Sequence, residues 1–347
     1  MAGVATNDPR RAPHDPTLID VAALAGVSRS TASRAINGGT KVSLGAQAAV
    51  DAAVDDLGYE PNRAARSLVT RRTDSIALVV PEPDEKVLTD PFFAGTLRGL
   101  GAALEHTEFQ LVLVIARRHD EHPRAAPRYL RRGHVDGAIV VSHHRDDGLG
   151  SVLAASRLPS VFVGRPLGTD HLLPYVDLDN LGGGRVATQH LVDVGCRRIA
   201  TITGPLDMAA GLDRFRGWRE VLTDAGRATV AIEHGDFTSA GGARAAAALM
   251  NEHPDTDGIF VASDLMAVGA MAVLAEWGLR VPEDVRIVGF DRLGVHESTR
   301  PALTTVTNPV VAMARRAGEI LLDQIATGHR PHEPEIFPTE LFLGDSA

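Results

Sequence analysis

Two groups of residues carry side chains suited to recognition chemistry. Arg29, Ser30 and Thr31 follow Ser28 directly, and Arg34 lies one helical turn on from Ser30. A guanidinium fork can donate to two acceptors on one guanine edge. Far along the chain, Asp264 closes the apolar run GIFVA with Ser263, and Asp291 closes RIVGF. Carboxylate oxygens accept hydrogen bonds from adjacent hydroxyls, while arginine donates to ring or hydroxyl oxygens. Arg165, after PSVFVG, is placed to join them or to form a surface salt bridge. His143 and His144, in SHHRDD, have no convincing companion ligands for a metal and read as a solvated loop.

The first group needs a compact helical frame. In TLIDVAALAGVSRSTASRAINGGTKVS, Val21, Ala25, Val27, Ala32 and Ala35 recur at helix-like spacings. Ala22 is small enough for helices to cross closely. Gly26 suits a tight turn, and Ser28 suits the N-cap of the helix that follows. A short second helix with polar residues at its start is what a helix-turn-helix places in the major groove. A third helix is predicted from about Ser43 to Gly58. The following YEPNRAARSLVTRRTDS begins a possible two-turn helix at Pro61, too short to be stable alone. It reads as a linker that orders on binding or as a solvated linker with incidental arginines.

The second group needs a larger frame. SIALVVP, FQLVLVIA, VDGAIVVS, LPSVFVG, RRIATITG, DGIFVAS and DVRIVGFD are apolar throughout, as strands of a sheet covered on both faces are. Between them lie helical stretches such as FFAGTLRGLGAALEH and ASDLMAVGAMAVLAEWG. The alternation predicts an α/β body, whose ligands sit outside the carboxyl ends of the strands.

A chain of 347 residues, 44% apolar and 23% charged, has room for two or three ordinary globular domains. No stretch is long and apolar enough to span a bilayer, and the polar start MAGVATNDPRRAPHDP predicts a disordered tail without an export signal. The single cysteine, Cys196, excludes an internal disulfide and fits a reducing cytoplasm. Residues 1–72 hold 9 lysines and arginines against 7 acidic residues, a net of +2. The remainder holds 26 against 37, a net of −11, giving −9 overall. Such an acidic body is repelled by phosphates, which leaves nucleic-acid contact to the head.

The ordered series TLIDVAALAGVSRSTASRAING, LGYEPNRAARSL, DPFFAGTLRG, GRVATQHLVDVGCRRIATITGP, ASDLMAVGAM, LRVPEDVRIVGFD and PALTTV strongly resembles the lactose/galactose repressor family of bacterial transcription factors, from Thr17 to about Phe342. The resemblance implies a three-helix DNA-binding head at 17–60 after a tail at 1–16, a hinge helix at 61–72, and a body at 73–347 like type I periplasmic sugar-binding proteins. That body would have two Rossmann-like subdomains, one of about 73–175 plus 307–327 and the other of about 176–306 plus 328–343. Three crossing strands would join them, with an effector in the cleft.

The resemblance puts Arg29, Ser30 and Arg34 at base-reading positions. Thr17, Ser28, Thr31, Asn37, Ser43, Tyr59 and Asn62 match phosphate-contacting positions, with Leu18 grouped beside them on the DNA side. Such contacts set register rather than read sequence. Leu68 matches the hinge leucine that is wedged into the minor groove, which kinks DNA at a cost of a few kcal/mol. Paired hinges imply a homodimer on a near-palindromic operator. In the cleft, Arg214 matches an effector-binding arginine, Phe237 an aromatic that stacks on ligand, and Phe93 a wall of the other subdomain. With Arg165, Asp264 and Asp291 they form the expected effector set. Each has a structural alternative: a cap for Asp264, a turn for Asp291, a surface ion pair for Arg214 and plain core for the two phenylalanines. The family often has a second acidic or amide residue after Asp291, where this chain has Arg292. The C-terminal LFLGDSA carries no leucine heptad, so a dimer rather than a tetramer is expected.

The expected function is a cytoplasmic repressor whose operator affinity is lowered by a small sugar, with no cofactor, no metal and no membrane attachment. A corepressor-dependent regulator binding a purine or another metabolite is the competing arrangement. A transport-type sugar-binding module is disfavoured by the head. An enzyme is disfavoured because GGGR at 182–185 is not a strand-adjacent GxGxxG, and no phosphate-loop motif occurs.

Overall fold

The computed structural model describes residues 15–37, 42–60, 72–116, 129–130, 133–168, 173–330 and 333–347. Its contacts divide the chain between Thr73 and Asp74 into a small N-terminal unit and a large C-terminal one. The sequence-predicted tail lies outside the described residues up to position 14, as does the hinge segment from 61 to 71 with Asn62 and Leu68.

The head consists of α1 (Leu18–Leu24), α2 (Arg29–Ile36) and α3 (Leu44–Leu57). Val21, Ala22, Ala32, Ala35, Val50 and Ala53 form its buried centre, with Ala25 and Val27 packed against it. The side chains are small, so the helices approach closely and the core is thin. Gly26 sits at φ +63° in the turn between α1 and α2, a conformation that strains any residue with a Cβ. Asp20 takes the Thr17 backbone N–H at 2.9 Å, which closes the first turn of α1.

The body alternates strands and helices: β1 (Ser75–Val80), α4 (Asp84–Thr89), α5 (Pro91–Leu104), β2 (Gln110–Ile115), β3 (Gly137–Val141), α6 (Leu149–Ala154), β4 (Ser160–Val163), β5 (Tyr175–Leu178), α7 (Asn180–Asp193), β6 (Ile199–Thr203), α8 (Ala209–Asp224), β7 (Ile232–His234), α9 (Ser239–Glu252), β8 (Gly258–Val261), α10 (Asp264–Glu276), β9 (Arg286–Asp291), β10 (Thr304–Thr307), α11 (Val310–Thr327), β11 (Glu335–Phe337) and β12 (Leu341–Phe342). One sheet has the order β11-β5-β4-β3-β1-β2 and the other β12-β10-β9-β8-β6-β7. Every pairing is parallel except that of β10 with β12. The central strands β3, β4, β6 and β8 are buried along their whole length. This is why they read as continuous apolar runs.

The chain crosses between the two sheets after β5, after β10 and between β11 and β12. The lobes divide differently from the sequence-predicted boundaries. Residues 176–178 and 335–337 lie in the first sheet, because β5 pairs with β4 and β11 pairs with β5. The strands β5, β7, β10, β11 and β12 have only two to four residues each. Runs that short give little periodicity to read.

Candidate functional site

On the head, Ser28 caps α2 by accepting the Thr31 N–H at 3.1 Å. Its hydroxyl also lies 2.9 Å from that of Ser30 and 2.8 Å from that of Thr31. Arg29, Ser30 and Arg34 are exposed, and the Arg34 Nε–H donates to the Ser30 carbonyl at 3.0 Å. Thr17, Asn37 and Ser43 are exposed at helix ends; Ser43 accepts the Ala46 N–H, and the Asn37 amide donates to the Ser33 carbonyl. Leu18 and Tyr59 instead pack at the edge of the head core. The face therefore offers hydroxyls, a helix N-terminus and two arginines from one short helix, which suits a phosphate-lined groove.

In the body, one cleft of about 900 Å³, including its open mouth, lies at the carboxyl ends of the strands of both sheets. Arg214, on α8, is only 4% exposed on its floor. It donates to Asn180 Oδ1 at 2.9 Å, to the Ala262 carbonyl at 2.7 Å and to Asp291 Oδ1 at 3.2 Å. Its guanidinium also stacks on the Phe290 ring, 3.6 Å from the centroid. Close packing of α7 on α8 sets its position. A Cβ on Gly184 would come within 2.3 Å of the Arg214 carbonyl oxygen, and one on Gly217 within 2.4 Å of the Leu181 oxygen.

Asp264 and Asp291 sit side by side at the ends of β8 and β9. Ser263, not Asp264, caps α10, by accepting the Met266 N–H. Asp264 accepts the Thr305 hydroxyl at 2.6 Å and the Arg292 backbone N–H at 2.9 Å. Burial, then the Asp291 charge, pushes its carboxyl up to about 8. Burial also raises Asp291 against the pull of Arg214. Asp291 adopts φ +110° and Arg292 φ +48°. This backbone lets the Arg292 N–H reach Asp264 while its guanidinium stacks on Phe342, 3.9 Å away. Arg292 therefore adds a backbone donor behind the site, not a charge inside it.

Phe237 lines the cleft, with Lys86 Nζ and Arg214 Cζ 5.7 and 5.8 Å from its ring centre. Arg165 lines it too and pairs with Asp213 of the second lobe. Phe93 does not line it. That ring is 2% exposed in the core of the first lobe, and its neighbour Phe92 faces the cleft instead. The turn before α5 decides this: Asp90 accepts the Phe92 N–H at 2.9 Å, which fixes the start of the helix.

The sequence reading missed several cleft residues: Lys86, Asp90, Ser142, Asp177, Asn180 and Asn308. Burial raises both Asp90 and Asp177 to about 6. The signal for them was the strand-end rule already applied to Asp264 and Asp291. His143 and His144 are also a correction. They are 8% and 7% exposed rather than solvated. His143 lines the cleft with Nε2 3.1 Å from the Arg165 carbonyl, and burial pushes its pKa down to about 4.

A helix-turn-helix head followed by a two-lobed, parallel-sheet body with a buried arginine and carboxylates in its cleft defines a ligand-responsive bacterial DNA-binding regulator. The comparisons with known proteins agree. Residues 17–62 match the bacterial regulatory proteins of the lacI family, and residues 188–347 match a periplasmic binding protein-like domain. The chain is 49% identical over 313 residues to the HTH-type transcriptional regulator CelR of Thermobifida fusca, covering 89% of this chain and 92% of that protein. It is 32% identical to the ribose operon repressor of Halalkalibacterium halodurans, over 89% and 90% of the two chains. Among solved structures, a CelR–cellobiose complex matches with a TM-score of 0.76 at 44% identity, over 96% of this chain and all of that one. The lac repressor dimer bound to operator and the anti-inducer ONPF matches with a TM-score of 0.84 at 26% identity, over 96% and 99%. The chain belongs to the LacI family of transcriptional regulators. Among the described residues, no helix is long and apolar enough to cross a membrane.

Proposed function

We propose that the protein is a dimeric, cytoplasmic repressor of a near-palindromic operator, released from DNA when a neutral sugar enters the cleft. The carrying observation is the buried Arg214, bonded to Asn180, Ala262 and Asp291 beside Asp264 and the Phe237 ring. Fixed donors and acceptors around an aromatic face suit a ring that bears hydroxyls on its edges and C–H groups on its faces. Lys86, Arg165 and Arg214 in the lining are each already paired with a carboxylate, Glu82, Asp213 and Asp291 in turn, which disfavours a phosphorylated or carboxylated effector. The likeness to a regulator solved with cellobiose makes β-linked glucose disaccharides the first candidates.

The bound sugar ties the lobes together, and the shift in lobe closure alters the spacing of the paired segments that lead to the heads. Operator and effector then oppose each other by the same factor in both directions. The test is fluorescence anisotropy of the full chain on DNA from upstream of its own gene, titrated with cellobiose. Loss of DNA binding supports the reading. Unchanged affinity across a panel of neutral sugars overturns it, and tighter binding with a purine would make the protein a corepressor-dependent regulator.

A further inference from the structure

We propose that His144 is an interlobe latch, a positioning residue that holds the cleft shut by bridging Glu82 of the first lobe to Asp207 of the second. His144 follows β3 and is 6% exposed at its side chain. Its Nδ1 lies 2.9 Å from Asp207 Oδ2, and its Nε2 lies 3.4 Å from Glu82 Oε1. Asp207 follows β6 in the other sheet, so the bond spans the cleft. The next residue reinforces the crossing, since the Arg145 N–H donates to the Asp207 carbonyl at 2.8 Å.

The charge environment favours the bridge, because each ring nitrogen of the imidazole faces a carboxylate oxygen. Glu82 remains ionised: burial opposes this, but His144, Lys86 and Ser142 hold its carboxyl down at about 2. Lys86 Nζ is 2.8 Å and the Ser142 hydroxyl 2.7 Å from Glu82 Oε1. Asp147 accepts the His144 backbone N–H at 2.9 Å. Of the nearby cations, His143 is kept neutral by burial, Arg165 is paired with Asp213, and Lys86 faces Glu82. The imidazole is thus held between two carboxylates, one from each lobe. Loss of the bridge leaves the lobes joined mainly by the Arg145 and Arg165 contacts.

The latch stands on interlobe geometry alone, and only its second readout rests on the cleft being a sugar site. Spin labels on Thr89→Cys and Ala240→Cys, one exposed position on each lobe, report the interlobe distance in the ligand-free full chain. Wild type is expected to show a short interlobe distance. His144→Ala removes the bridge and lengthens that distance. Asp207→Asn, at the more exposed end of the bridge, removes one of its charges and lengthens the distance without disturbing the core. Wild-type distances in both variants would overturn the latch. In a second readout, cellobiose leaves Asp207→Asn about threefold or more faster than wild type. If wild type does not bind cellobiose, the effector reading falls, and the distances still decide the latch.

Discussion

At the scale of the residue, the cleft concentrates groups that cannot all be charged together. Asp264 keeps its proton in the folded protein up to about pH 8, whereas an unfolded aspartate releases it near its ordinary value of 3.8. The folded state therefore holds more protons than the unfolded one across that window, and stability declines as pH rises through it. His143 acts in the opposite sense, since its folded pKa of about 4 makes stability rise with pH from about 4 to its ordinary 6.5. Asp90 and Asp177, raised to about 6, contribute declines that end near there. Above pH 6.5 the Asp264 decline continues, and Asp291, also raised by burial, acts in the same direction. Urea unfolding of the body should show it, and Asp264→Asn should flatten that part of the profile. An unaltered slope in the variant would refute the assignment. Arg214→Ala leaves Asp291 buried without its partner and should cost about 3–5 kcal/mol in the same assay.

At the scale of the element, close helix packing and a short capped helix do the positioning. Gly217→Ala drives a methyl group against the Leu181 oxygen and should push α8 off α7. The expected cost is about 1–3 kcal/mol of stability, together with weaker effector binding because Arg214 travels with α8. Retained affinity at reduced stability would separate packing from positioning. On the head, Arg29→Ala should lower operator affinity by about 1–3 kcal/mol and relax the preference at one base pair, measured by competition with single-base operator variants. Ser28→Ala should weaken binding to all sequences alike, because it removes a cap and a phosphate-facing hydroxyl.

The strand-end rule located Asp264, Asp291 and Arg165, whereas the family resemblance chose the wrong phenylalanine of a pair. Phe92 and Phe93 are adjacent and chemically identical in the sequence. Only the helix phase set by Asp90 decides which ring faces the cleft. The histidines were misread for a similar reason. A polar run such as SHHRDD resembles a solvated loop until a second lobe closes over it and supplies Asp207.

At the scale of the whole molecule, the acidic body and the N-terminal 72 residues, with a net charge of +2, divide the work between ligand and DNA. Operator binding should fall steeply with salt, and the slope of log affinity against log salt counts the phosphates contacted. A shallow slope would mean that the head makes few backbone contacts. The lobes meet through Arg165–Asp213, His144–Asp207 and the crossing segments near Asn180 and Asn308, so effector and latch act on the same closure.

The sequence by itself determined the head, the alternating strands and helices of the body, and the family. Those features rest on local periodicity, caps, turns and ordered motifs, which lie within short windows of chain. Tertiary structure decided the lobe boundaries, the ring that faces the cleft, and the partners of Arg214 and His144. Those depend on residues such as Asn180, Asp207 and Asp291, tens of positions away from the side chains they hold, brought near only when the two sheets fold and the lobes close. Burial then set the protonation of Asp264 and His143, because it is the removal of water, not residue type, that shifts their charge.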